Sequence, residues 1–581
     1  MSLANLLQYG FFLLTVVVLV KPVGGYLQRV FEGEKTFLDW LMRPLERWIY
    51  RLARVDLQHE MSWREYAGSF VLFGLTGAVS LFLILRLQSF LPLFSRNAAY
   101  LTTPLTPDLA MNTAVSFATT TTWQAYGGET TMSYFSQVVG LTVQNFLAGA
   151  AGLAVGIAFI RGLTRTRKEM LGNFWVDLVR GLLWVLLPLS VLGSLALVSQ
   201  GVPVNFNAYA NAVTLEGRRQ VIAQGPVAAL EFIKNLGTNG GGFFNVNGAH
   251  PYENPTPLSN FIEMLAIVLL PASLTYTFGR MVGRTRHGWV LFWVMAVFFV
   301  AGLLLNDLAE RKGNPLTARA MTAPAIAADP SSSNMAGGNM EGKDARFGVG
   351  GSALTAIATS NGATGSYNSM HDSYTPLGGM IPLVNMLLGE IMFGGLGTGI
   401  YSIILVALIG LFLAGLMIGR KPEYLGKEIG VPEMKLIMLF AIAGPISVLI
   451  LTAVAVVTGP GLVGLTTNDG PHGFTEIIYA YTSAFANNGQ NFAGLSANSV
   501  FYNVTTALAM MAGRFGLAIP ALALAGHFAR QGRRPLTIGT LPTDTPAFGV
   551  LVGATALIVG GLSYFPALTL GPILEHLVMT E

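Results

Sequence analysis

The sequence predicts an all-α polytopic membrane protein with ten transmembrane helices. Eight of them form four pseudo-symmetric helix–pore-loop–helix repeats, and one extra helix lies at each end. Three observations predict this. Uncharged apolar runs long enough to cross a hydrocarbon core of about 30 Å recur along the whole chain. Charged residues make up 11% of the 581 positions, against roughly 25% in an ordinary soluble domain. Four polar clusters of Gly, Thr, Ser and Asn return at nearly even spacing between the apolar runs. The chain has no cysteine, which excludes disulfides, thiolate metal sites and thiol nucleophiles.

The apolar runs lie near 3–20, 66–93, 134–160, 175–199, 257–279, 289–305, 380–418, 434–458, 500–528 and 547–570. The first is followed, not preceded, by its flanking cation Lys21, the reverse of a secretory signal, so it is expected to stay as a helix. The connections alternate in charge. Segments 21–65, 161–174, 280–288, 419–435 and 529–546 carry 22 of the 34 Lys and Arg, including Arg43, Arg47, Arg51 and Arg54. Basic connections stay cytoplasmic, which places both termini outward. It also makes the net charge of +4 a topology signal and not a sign of nucleic-acid binding.

The connections on the opposite side share one plan: an apolar stretch too short to span, a polar cluster, then a full span. Asp108 to Ala118 leads into Thr119, Thr120, Thr121, Thr122, Trp123 and Gln124. Pro226 to Leu236 leads into Gly237, Thr238, Asn239, Gly240, Gly241 and Gly242. Gly351 to Ala358 leads into Thr359, Ser360, Asn361 and Gly362, and Thr475 to Phe485 into Ala486, Asn487, Asn488 and Gly489. Taking Thr122, Gly240, Gly362 and Gly489 as equivalent, the intervals are 118, 122 and 127 residues. The chain then divides into an N-terminal helix with a basic loop (1–65), repeats at 66–160, 175–279, 289–418 and 434–528, and a C-terminal helix (547–570). The third repeat carries a long outer loop, rich in Gly, Ala, Ser, Asn and Met over 317–370.

Irregular backbone at membrane depth is tolerated only where it is buried in protein or lines a water-filled path. Four such segments around one axis enclose a pore. A bare monovalent cation needs fixed oxygens in place of its water, and rings of backbone carbonyls supply them. Glycine permits the backbone angles and the close approach, Thr and Asn add oxygens, and short helices turn their partly negative C-terminal ends inward. None of the clusters contains a carboxylate, which suits potassium better than calcium. His250, His371 and His472 lie near the clusters but form no pairs at ligand spacing, and are read as structural.

The run 380–418 is too long for one straight span, at roughly 58 Å of helix. It should break at its glycines, Gly394, Gly395, Gly397 and Gly399, and the resulting loop is expected to obstruct the path beneath the filter. Arg514 falls in the middle of its span, where a charge faces a polar interior or a partner. Glu390 is a further candidate on the route out. The chain has neither a Gly-x-x-x-x-Gly-Lys-Ser/Thr phosphate loop nor an Asp-Lys-Thr phosphorylation motif, so it carries no ATP site of its own and uphill transport needs another chain.

Several segments carry a resemblance: LGTNGGGFFN from Leu236, HPYENPTPLSNF from His250, NMEGKDARFG from Asn339, MHDSYTPLGG from Met370, EYLGKE from Glu423, GPHGF from Gly470 and FAGLSANS from Phe492. Together they resemble the potassium-binding A subunits of the bacterial Kdp potassium-transporting ATPase, within the superfamily of potassium transporters. The resemblance covers essentially the whole chain. It implies a multi-pass protein of the bacterial inner membrane and K+ as the transported ion. The implied partners are a P-type ATPase B subunit, a C subunit and a small F subunit. It maps the filter to Thr119–Thr122, Thr238–Gly240, Ser360–Gly362 and Asn487–Gly489, puts Gln124 beside it and Arg514 below it, and implies that ions pass sideways to the pump subunit. The first filter departs from the family pattern in being four threonines, and the fourth has Phe485 and Ala486 ahead of two asparagines. The alternatives are a stand-alone potassium channel, or a uniporter gated by a regulatory ring. A secondary transporter of an organic solute would instead show inverted repeats.

Overall fold

The computed structural model describes residues 3–315, 338–417, 419, 421–535 and 541–580. The part of the glycine- and serine-rich stretch over 317–337 lies outside them. Ten helices among the described residues are long and apolar enough to cross a membrane: Leu3–Glu32, Trp63–Arg86, Ser136–Thr164, Phe174–Ser199, Pro257–Met281, Thr285–Lys312, Thr398–Met417, Val431–Val457, Val500–Arg530 and Pro546–Thr580. Among the described residues strand structure is confined to three two-stranded ribbons in the connections, such as Ala210–Val213 against Arg219–Ile222.

Burial sorts the central eight spans into two kinds. In those that follow a short re-entrant helix, Ser136–Thr164, Pro257–Met281, Thr398–Met417 and Val500–Arg530, between 56% and 83% of the most apolar window is buried. In those that precede one, Trp63–Arg86, Phe174–Ser199, Thr285–Lys312 and Val431–Val457, the range is 22–44%. The first kind therefore forms an inner wall and the second an outer one. The outer helices present Leu72, Leu75, Val79, Leu439, Ile442, Ile446 and Ile450 to the surroundings. Such a surface is costly in water and neutral against lipid tails.

Four re-entrant helices lie inside this wall: Pro107–Ala118, Val227–Leu236, Gly348–Asn361 and Gly470–Phe485. The first shows why they start where they do. The Thr106 hydroxyl accepts from the Leu109 N–H, Pro107 occupies the first turn, and Asp108 sits at the positive end of the helix dipole. At 12 residues it is about 18 Å long, roughly half a bilayer.

The run 380–418 is two helices. Pro376–Leu387 ends, the chain turns irregularly through Leu388 to Gly397, and Thr398–Met417 begins. Gly389, Glu390, Phe393 and Gly397 all take positive φ in the turn. The break thus begins earlier than the glycine cluster, at Leu388, and Gly399 already belongs to the next helix.

The basic segment after the first span holds an element not anticipated from hydropathy, the helix Asp39–Ala53. It leaves Trp40, Leu41, Leu45, Trp48 and Leu52 exposed beside its arginines, the pattern of a helix lying in a membrane interface. It was illegible to a search for spans because at 15 residues it is too short to be one. On the same side the EYLGKE hairpin buries Lys427, whose ammonium donates to the carbonyls of Gly162, Arg165 and Phe528 at 2.5–2.9 Å. One side chain thereby collects carbonyls at the C-terminal ends of two inner helices.

Candidate ion-filter site

Each re-entrant helix ends by turning back its amides. The Ser116 carbonyl accepts from Thr121 and Thr122, Lys234 from Asn239 and Gly240, Thr359 from Thr364, and Ser483 from Asn488. These four anchors define the equivalence of the strands that follow. The same equivalence appears in the dihedrals, because each strand carries two left-handed residues, two positions apart: Thr120 and Thr122, Thr238 and Gly240, Ala363 and Gly365, Asn487 and Gly489.

The third strand is therefore placed three residues later than expected. Thr359, Ser360 and Asn361 are the last turn of a helix, and the strand that matches the others is Gly362-Ala363-Thr364-Gly365. With Gly365 in place of Gly362 the intervals become 118, 125 and 124, more even than before.

The strands close into a ring. A Cβ added at Gly240 would fall well inside van der Waals contact of the Thr364 carbonyl oxygen, one at Gly365 would meet that of Asn488, and one at Gly489 that of Thr121. The fourth position is Thr122, whose hydroxyl donates to the Asn239 carbonyl. Each strand thus meets the next through the same pair of positions, and the fourth returns to the first. Glycine is required at three corners because a neighbour's carbonyl occupies the space of a side chain and φ is +74 to +87°.

The side chains brace this ring from behind instead of lining it with extra oxygens. Thr119 Oγ donates to the Val115 and Ser116 carbonyls at 2.9 and 3.1 Å. The Asn488 amide donates to the Thr359 and Ser360 carbonyls and to Glu390 Oε1 at 3.1–3.3 Å. Asn487 donates to Thr121 Oγ1 at 3.0 Å. Gln124 clips two strands together, accepting from the Gly242 N–H at 2.8 Å and donating to its carbonyl at 3.0 Å. These hydroxyl and amide groups are thus engaged in hydrogen bonds within the protein.

Beneath the ring is a small space of about 240 Å³, including volume open to its surroundings, lined by Thr120, Thr238, Ala363 and Asn487 from the four strands. Gly395, Leu396 and Thr398 of the broken segment form part of its wall, and so does Arg514. The Leu396 N–H donates to Thr238 Oγ1 at 2.8 Å. Gly397 lies directly against the Gly152 carbonyl and Gly156 of the first repeat's inner helix, and Gly394 packs on the Glu390 carbonyl and against Gly399. Arg514 is 8% exposed and donates to Thr120 Oγ1 at 3.0 Å and to the Ala148 carbonyl at 2.8 Å, with its guanidinium over the Phe70 ring. It has no carboxylate within ion-pair distance among the described residues. A larger cavity of about 1010 Å³, including space open to its surroundings, shares Thr398, Ala486, Asn487 and Arg514 with the small one and adds Glu390. It lies between the last four spans.

The connections around the ring are tied by a buried ion pair and by hydrogen bonds from Arg346. Lys343 meets Glu310 at 2.7 Å, and Glu310 Oε1 accepts from the Thr375 N–H and hydroxyl. Arg346 donates to the Asn254 and Ala249 carbonyls. These contacts explain why the NMEGKDARFG, MHDSYTPLGG and HPYENP segments carry their polar residues. His250 stacks on Phe244, and burial together with Arg346 pushes its pKa down to about 4. His371, packed beside Tyr479, is pushed down to about 3, chiefly by burial.

His472 is the opposite case. Burial opposes its charge, but hydrogen bonds to Asp372 (3.1 Å) and Glu575 (2.7 Å) take both ring nitrogens and raise it to about 10. The imidazolium is thus itself the cation of its carboxylate cluster. A folded pKa above the ordinary 6.5 contributes stability in full below pH 6.5, and that contribution declines as the pH rises through about 10. His472→Gln is therefore expected to lower the thermal midpoint at pH 6 and to narrow the gap to wild type by pH 10. A gap independent of pH refutes the assignment.

A ring of four re-entrant segments inside ten spans defines the chain as a polytopic, channel-like membrane protein. It matches the family described as the potassium-transporting ATPase A subunit over residues 10–577, and it belongs to that family. It is 52% identical over 579 residues, 100% of this chain and 99% of the relative, to a potassium-transporting ATPase potassium-binding subunit of Granulibacter bethesdensis. It is 50% identical to proteins of the same description from Methylorubrum extorquens, over 99% of this chain and 98% of the relative, and from Brucella anthropi, over 100% and 99%. Among solved structures it is similar to the potassium transporter TrkH of Vibrio parahaemolyticus, with a TM-score of 0.49, 13% identity, and coverage of 86% of this chain and 96% of that one.

Proposed function

We propose that this chain is the potassium-selective subunit of an ATP-driven uptake complex. K+ enters from outside through carbonyls of Thr119–Thr122, Thr238–Gly240, Gly362–Gly365 and Asn487–Gly489, with Gln124 fixing two strands. Gly394, Gly395, Gly397 and Gly399 with Arg514 obstruct the straight way down, and the ion leaves sideways past Glu390 to a P-type ATPase B subunit. A C subunit and a small F subunit complete the complex. It sits in the bacterial inner membrane with both termini outward, in accord with the basic connections on the other side.

The observation that supports this reading is the cyclic order of contacts, in which a carbonyl of each strand abuts its neighbour and the fourth strand returns to the first. The sideways route is supported by the lining shared between the space below the ring and the larger cavity. The test is reconstitution. Assembled with its partners, the chain is expected to support K+-stimulated ATP hydrolysis and K+ accumulation against a gradient. Alone in liposomes it is expected to pass K+ only slowly. Channel-like flux through the isolated chain would replace this reading with that of a self-sufficient channel or uniporter.

A further inference from the structure

The four anchors of the ring are not alike. Three are hydroxyl residues, Ser116, Thr359 and Ser483, and the second is Lys234, fully buried in its re-entrant helix. Its carbonyl holds the Asn239 and Gly240 amides at 2.8 and 2.9 Å. Its ammonium lies 2.6 Å from Glu231 Oε2 and 3.9 Å from Glu253 Oε2, and donates to Asn247 Oδ1 at 2.6 Å. Glu253, also fully buried, accepts from the Phe243 and Phe244 amides at 2.6 and 3.2 Å, just where the second strand leaves the ring. The Lys234 carbonyl thus holds the start of this strand and the Glu253 carboxylate its end, the two side chains approach within 3.9 Å, and Gly242 between them is packed against the Glu253 carboxylate.

We propose that Lys234 and Glu253 are positioning residues for ion selectivity, setting the shape of the second strand and so the carbonyl spacing of the whole ring. The inference rests on the filter reading above. Buried ion pairs are a weak source of net stability, and their best-attested use is to fix one geometry among several. The asymmetry fits that use, because the Lys234 ammonium ties the end of the second re-entrant helix to Glu231, Asn247 and Glu253, contacts that the hydroxyls at the other three anchors do not make. Each corner of the ring abuts the next, so a shift of the Gly240 corner is transmitted to Thr364 and onward. Discrimination between ions of similar size depends on such spacing.

The experiment uses the assembled complex and measures the K+ and Rb+ concentrations that half-saturate its ATPase. Lys234→Met and Glu253→Ala are each expected to raise the K+ value about tenfold and to bring the two ions' values within about threefold of each other. Glu253→Gln keeps an acceptor oxygen for Phe243 and Phe244 and is expected to retain most of the discrimination. A role in folding alone would lower the yield of complex and leave the ratio of the two ions unchanged, and that result overturns the proposal. If Lys234→Met does not assemble, the ratio in Glu253→Ala against Glu253→Gln decides alone. Gly240→Ser in the same assay separates the two levels. If it changes the ratio while these variants do not, only this inference falls. If none of them does, the filter reading falls with it.

Discussion

Gly240→Ser is expected to raise the K+ concentration that half-saturates the ATPase of the assembled complex by at least about tenfold. The residue has φ of +82°, a conformation that costs a residue with a Cβ of order 1 kcal/mol or more. A Cβ there would also occupy the position of the Thr364 carbonyl oxygen, so either strand must move. The displaced carbonyl is one that the ring would offer to the ion, and 1.4 kcal/mol of lost ligation suffices for a factor of ten. Gly10→Ser is the control: it adds a side chain to a span where nothing lies within 4 Å of the new Cβ. If the two variants are equally close to wild type, Gly240 does not face an ion path.

Three of the four re-entrant turns were legible in the sequence because a short apolar helix runs straight into a polar cluster. The third was misregistered for a physical reason. Thr, Ser and Asn ordinarily leave helices early, since their side chains compete for backbone hydrogen bonds. Thr359, Ser360 and Asn361 stay helical because they are fully enclosed, with Ser360 Oγ accepting from the Asn385 amide at 2.9 Å. The correct register was present in the spacing, since Thr122, Gly240, Gly365 and Gly489 are the more evenly placed set. What spacing does not reveal is that Ala363 adopts a left-handed φ of +49°, a conformation imposed by tertiary packing. Lys234 was legible as a charge in a buried helix, but its pairing with Glu253 depends on the strand folding back. The break in the seventh span was readable from its length and its glycines; its start at Leu388 was marked only by the single Gly389, which takes φ of +80° there, ahead of the denser cluster at Gly394–Gly399.

Arg514→Ala is expected to raise ATP-independent K+ leak of the reconstituted complex by about tenfold or more. The guanidinium is hydrogen-bonded to Thr120, a left-handed residue of the first strand, lines the space beneath the ring, and has no carboxylate within ion-pair distance among the described residues. Two like charges about 5 Å apart in a medium of effective dielectric near 20 repel by roughly 3 kcal/mol, more than enough to suppress passage by two orders of magnitude. Relaxation of the cavity and entry of water reduce that figure, hence the smaller expectation. Arg514 is also a brace, and the two roles separate by substitution. Arg514→Lys keeps the charge but loses the two-pronged contact with Thr120 and Ala148. If charge is the barrier, the lysine variant remains tight and only the alanine variant leaks. If the brace is what matters, both lose K+ affinity to a similar extent and neither leaks selectively. Wild-type leak in Arg514→Ala would leave obstruction to the backbone alone, since Gly397 pressed on Gly152 and Leu396 tied to Thr238 would remain in place beneath the ring.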